Sequence, residues 1–132
     1  MKIYELVLKL SAPIFLLVGL LHLIFGVGAE VMIGARLPAE ALSDPVLDSQ
    51  NRFYGISFSL YGVLLFLCAT DLKKYGTVLR CVLWAFFAAG LARLVSIATH
   101  GMPSMPVLVL LGSEIVLPPL LIGWFSKLAK EY

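Results

Sequence analysis

Charge is what this chain has least of. Of its 132 residues 14% are charged and 61% are hydrophobic, whereas a soluble domain is typically about a quarter charged and about 45–50% apolar. A soluble chain of this length could not bury so much apolar surface within itself. The net charge is +2 and the basic residues are scattered, which excludes the basic stripe of a nucleic-acid binder. Cysteine is scarce as well. Cys68 and Cys81 form no CxxC and have no Cys/His spacing suited to zinc. They read as small apolar side chains. Walker A, HExxH, GxSxG and dinucleotide-binding motifs are missing. Strict GxxxG spacing is missing from the Gly19 to Gly26 stretch. No metal and no cofactor is expected.

What the chain does have is long apolar runs and a mean hydropathy of +0.98. A membrane-spanning helix needs roughly 20 mostly apolar residues. Four segments qualify, and they predict a single all-α domain over 1–132, an integral membrane four-helix bundle with helices over about 5–29, 45–70, 76–99 and 105–127. Asp44-Pro45, the stretch 71–76 and His100-Gly101-Met102-Pro103 supply the breaks. The first span has a signal-peptide-like start in Lys2 and Lys9. Its apolar stretch outruns the usual h-region, so a retained helix is expected. Four spans are few for a transporter built from inverted repeats.

Orientation follows from the Lys/Arg bias at helix ends. Lys2, Lys9, Lys73, Lys74, Arg80, Lys127 and Lys130 share one face, while Arg36 and Arg52 sit at the other. The first face is expected to be cytoplasmic, with both termini, in a bacterial inner membrane. Ser43 or Asp44 can cap the second helix with Pro45 in its first turn. Asp48 and Arg52 then stand at i, i+4 in the favourable order for an ion pair.

Each helix carries one stripe of small or polar residues. The first has Ala12, Phe15, Gly19, His22, Gly26 and Glu30; the second has Asp48, Arg52, Gly55, Ser59 and Gly62. The third has Phe86, Gly90, Arg93, Ser96 or Ile97, and His100; the fourth has Leu110, Glu114, Leu117, Pro118 and Leu121. Steps of three and four put each set on one helix face. Such faces serve as packing seams in membranes, where small residues allow close approach and polar ones bond across helices.

At 1.5 Å per residue, His22, Arg93 and Glu114 fall roughly 9–13 Å inside the outer ends of their helices. A charge near the bilayer centre costs about 2.5–3.5 kcal/mol even on the lenient insertion scale. Arg93 and Glu114 should therefore turn inward and pair across the hairpin of the last two helices, either as a staple or as part of a site. A haem held by His22 and His100 is disfavoured, because their depths differ by a helical turn or more.

The segments Gln50-Asn51-Arg52-Phe53-Tyr54-Gly55, Gly90-Leu91-Ala92-Arg93-Leu94-Val95-Ser96, Gly101-Met102-Pro103 and Glu114 come in a telling order. Over nearly the whole chain the pattern resembles a family of small bacterial four-helix membrane proteins of unknown function, related to the DoxX-like group. The resemblance implies an inner-membrane bundle in which Arg52, Arg93, Ser96 and Glu114 match the family's polar positions. It implies no activity.

The residues point first to a non-enzymatic protein whose outer-leaflet cleft binds an anionic amphiphile or lipid and supports envelope integrity or permeability. His22, Arg52, Ser59, Arg93, Ser96 and Glu114 would line that cleft, with a cationic surplus for the head. One alternative is a small membrane enzyme in which His22 and Glu114 exchange protons beside Arg93. That requires His22 and Glu114 to share one cavity. Another is an assembly partner of a second membrane protein. The bilayer is the expected partner in each case, and nucleic acid in none.

Overall fold

A computed structural model describes residues 1–131. The chain forms α1 (Lys2–Phe25), α2 (Gly28–Met32), α3 (Ala39–Leu42), α4 (Pro45–Cys68), α5 (Gly76–His100) and α6 (Met105–Leu128). No strand occurs among the described residues. The four long helices contain 18-residue windows with mean hydropathies of 2.1, 1.2, 1.9 and 2.0, and each is long enough to cross a bilayer. Their outward faces are apolar: Leu10, Leu17, Val95 and Leu120 are each more than 60% exposed. In water such a surface would aggregate; in lipid it is solvated. This is a small multi-pass membrane protein.

The bundle has two ends. The start of α1, the end of α6 and the tight α4–α5 link occupy the terminal end. The long α1–α4 connection and the α5–α6 link occupy the loop end. Asp44 caps α4: its carboxylate accepts from the Val46 and Leu47 amides at 2.8 and 3.0 Å, and Pro45 takes the first turn. Ser43 instead closes the short α3.

The first helix ends sooner than the apolar run indicates. Gly26 adopts φ 53° and stops α1 at Phe25, so Glu30 belongs to the separate helix α2 and not to the stripe of α1. A positive φ favours glycine, and a Cβ at Gly26 would also collide with the Asp48 carboxylate.

Helices α1 and α4 make the closest seam. A Cβ at Gly19 would lie 2.5 Å from the Gly55 carbonyl oxygen, and one at Gly55 would lie 2.6 Å from that of Gly19. Further along, Gly62 approaches the Ala12 carbonyl just as closely, at 2.7 Å from its would-be Cβ. Small residues thus let two backbones touch where lipid supplies no hydrophobic drive. Helices α5 and α6 form a second pair, and α4 meets α5 more loosely.

The two pairs join at the terminal end. Tyr4, Leu8, Leu65, Cys68, Leu72, Leu79 and Phe125 form the buried core there. The Tyr4 hydroxyl donates to the Leu121 carbonyl at 3.1 Å, and its ring meets Trp124 edge-on. Above this core lies an aromatic layer. Phe15 packs on Phe58 and Phe86 with centroids 5.7 and 4.9 Å away. Tyr61 closes the layer against Phe58 and Phe86 at 6.2 and 5.9 Å. Beyond that layer the helix pairs separate.

Candidate functional site

The separation creates a cavity of about 610 Å³ in the loop-end half of the bundle. That falls within the 300–1,000 Å³ typical of small-molecule sites. Val18, Leu21 and His22 line it from α1, and Tyr54, Ser57, Phe58 and Tyr61 from α4. Arg93 enters from α5, and Pro106, Val109 and Leu110 from α6. These i, i+3, i+4 sets are single helix faces. Glu30 and Ile33 of the α1–α4 connection complete the wall. The same two residues border a groove on the other side of that connection, so α2 and the residue after it partition the cavity from the loop-end surface. The partition is fastened by Ser104, whose hydroxyl donates to the Ile33 carbonyl at 2.6 Å.

Arg93 and Glu114 meet at 2.7 Å between Nε and Oε2. Close packing positions them: a Cβ at Gly90 would come within 3.0 Å of the Glu114 Cβ. The two partners differ in surroundings. Glu114 is 1% exposed, whereas the Arg93 side chain is 31% exposed and faces the cavity. Only Nε of Arg93 donates to Glu114, so both Nη groups lack a partner among the described residues. Glu114 Oε1 is buried without a hydrogen-bond partner among them too.

His22 lies on the cavity wall. Its Nδ1 sits 2.9 Å from the Val18 carbonyl and its Nε2 sits 3.6 Å from Glu30 Oε1. Glu30 reaches this point because the chain turns at Gly26 and α2 brings the carboxylate back. It lines the cavity although its place in the sequence puts it on the stripe of the first helix. The Gly26-Val27-Gly28 sequence was the available signal for the turn.

The other expected cleft residues lie elsewhere. Arg52 is exposed on the flank of α4. It binds Asp48 at 2.7 Å and donates to the Leu23 and Ile24 carbonyls at 2.6 and 3.2 Å. Those carbonyls belong to the last turn of α1, where no further helical amides follow, so Arg52 caps α1. Ser59 faces Gly19 in the α1–α4 seam and donates to the Gly55 carbonyl at 2.9 Å; Ser57, two residues earlier, is the serine on the cavity wall. Ser96 is exposed and off the cavity. His100 is also exposed, pairs with the Thr99 hydroxyl at 2.7 Å and does not line the cavity that His22 lines. Among the described residues no group of three metal-binding side chains occurs.

The sequence profile of a domain of unknown function, DUF4345, matches residues 3–125. The chain belongs to this family. No curated protein and no solved structure matches it.

Two consequences follow for this DUF4345 protein. The cationic surplus expected from Arg52 and Arg93 is not in the cavity, because Arg52 is outside and Glu30 is inside. The charged side chains on the wall are one of each sign, Arg93 and Glu30. Secondly, Glu114 is buried behind Arg93 and does not line the cavity. The condition set for proton exchange between His22 and Glu114 is not met.

Proposed function

We propose that this is a non-enzymatic protein of the bacterial inner membrane that binds an amphiphile in its loop-end cavity. The anionic part of the head takes the Nη groups of Arg93, and the tail lies against Val18, Leu21, Val109 and Leu110. The observation that carries this reading is a guanidinium set in a mostly apolar wall and tied down through Nε alone. A guanidinium offers paired donors that fit phosphate or carboxylate oxygens. Glu114 fixes the guanidinium and offsets its charge, so recognition rests on directed hydrogen bonds rather than surplus charge.

On the Lys/Arg bias the terminal end is cytoplasmic, which gives the cavity to the periplasmic leaflet. A role in envelope integrity or permeability accords with that placement. Kinship with the DoxX-like group is part of the same proposal and rests on the short motifs alone.

Native mass spectrometry of protein extracted in mild detergent tests the reading. The expected result is a co-purifying amphiphile that is retained by the native protein and lost from folded Arg93→Gln. Recovery of bare protein under conditions that keep the fold intact would overturn it.

A further inference from the structure

The His22–Glu30 contact carries more than the amphiphile reading on which this inference rests. A carbonyl oxygen can only accept, so the 2.9 Å contact with Val18 puts the proton of a neutral His22 ring on Nδ1. Nε2 of that ring is then an acceptor, and it faces Glu30 Oε1, a second acceptor, at 3.6 Å. That is longer than a hydrogen bond, and with the ring in this neutral form neither atom supplies a proton to the other. Both line the cavity that Arg93 enters. The arrangement is built by the chain: Gly26 turns the backbone and α2 returns the carboxylate over the ring.

We propose that the head of the bound amphiphile is zwitterionic and carries a primary ammonium, which donates to both His22 Nε2 and Glu30 Oε1 while its anionic group takes Arg93. A primary ammonium has three N–H donors and no acceptor, so one group satisfies both atoms. A phosphoethanolamine-type head has this chemistry. A phosphocholine head has the positive charge without N–H, and a phosphoglycerol head has neutral hydroxyl donors without the positive charge. The wall matches the first in sign and in hydrogen bonding, the second in sign only, and the third in hydrogen bonding only.

The test is titration of the purified full chain in detergent with three single-chain phospholipids of equal tail length, bearing ethanolamine, choline or glycerol heads, read by calorimetry. Hydrogen bonds to charged groups predict binding of the ethanolamine lipid about tenfold or more tighter than the other two. Glu30→Gln removes the negative charge that tells an ammonium from a hydroxyl, and should shrink the preference for the ethanolamine lipid over the glycerol lipid while the glycerol lipid still binds. Equal binding of all three by the native chain would overturn the inference, and that comparison needs no variant. Retention of the full preference by Glu30→Gln would overturn it as well. Failure of all three to bind the native chain would instead overturn the amphiphile reading. Soluble O-phosphoethanolamine should not bind at matched concentrations; binding as tight as the lipid's would keep the ammonium site and remove the tail from the reading.

Discussion

The Arg93–Glu114 pair predicts an asymmetric response to mutation. At 2.7 Å and an effective dielectric of about 20, the gross attraction is about 6 kcal/mol. Desolvation of a carboxylate that is 1% exposed consumes much of it, so the pair itself contributes little net stability. Its removal one side at a time is another matter. Arg93→Gln strands a buried carboxylate whose Oε1 already lacks a hydrogen bond, and should cost about 3–5 kcal/mol. Glu114→Gln leaves Arg93 facing the cavity at 31% exposure, with an amide oxygen still able to accept from Nε. That should cost about 1–2 kcal/mol, near the net worth of a hydrogen bond. The double variant has no stranded charge and should lie close to Glu114→Gln. Reversible unfolding of all four proteins in one detergent, analysed as a double-mutant cycle, measures each cost. Equal costs for the two single changes, or a double variant destabilised by their sum, would refute the reasoning. A stable double variant that retains no amphiphile would place Arg93 in binding as well as in structure.

Other outcomes follow from the same geometry. Gly55→Ala should force the α1–α4 seam apart and cost about 1–3 kcal/mol, seen as a lower midpoint in thermal unfolding. Ser104→Ala removes the bond to Ile33 and should weaken the partition by about 0.5–1.5 kcal/mol; faster amide exchange near residues 33–35 with an unchanged global midpoint is the expected signature. A small membrane-permeant thiol reagent should label Cys81, which is exposed, and spare Cys68, which is buried, as mass spectrometry of the intact chain would record. In cells, a cysteine introduced at Lys74 in a background lacking Cys68 and Cys81 should escape an impermeant periplasmic reagent, and its labelling would reverse the orientation drawn from the Lys/Arg bias.

Much of this architecture was readable in the residues because lipid punishes polarity. Four apolar runs, the Ser43-Asp44-Pro45 start and the cost of an unpaired Arg93 are strong local signals. The α1–α4 seam was readable too, since Gly19, Gly55 and Gly62 recur at helical spacing. The assignment of faces was harder. On α4 the stripe of Gly55 and Ser59 and the stripe of Tyr54, Ser57, Phe58 and Tyr61 both mix polar and apolar groups. Periodicity groups residues onto a face but does not say which neighbour that face meets, so Ser59 was given to the cleft and Ser57 overlooked. Arg52 stood at a plausible depth, yet the early end of α1 left carbonyls that claimed it. Glu30 depended on a backbone turn at Gly26, and a tertiary return of this kind has no periodic signature. Hydropathy ran on through the turn and concealed it.

The aromatic layer of Phe15, Phe58, Tyr61 and Phe86 also has an electrical consequence. It bounds the cavity on the terminal side with packed rings and, behind them, the core around Tyr4 and Leu79, while α2 bounds it on the loop side. If electrolyte from the loop end reached the cavity past α2, it would carry the potential of its own compartment down to the rings, and the membrane voltage would fall chiefly across the packed terminal half. Moving one elementary charge through the full voltage is worth about 2.3 kcal/mol per 100 mV. On the binding proposed above, a charged head that passed α2 from the loop end and stopped beside Arg93 would then cross little of that drop. Binding of the proposed amphiphile should therefore be independent of the membrane potential: vesicles carrying the protein should retain the same amount of it with and without an imposed voltage.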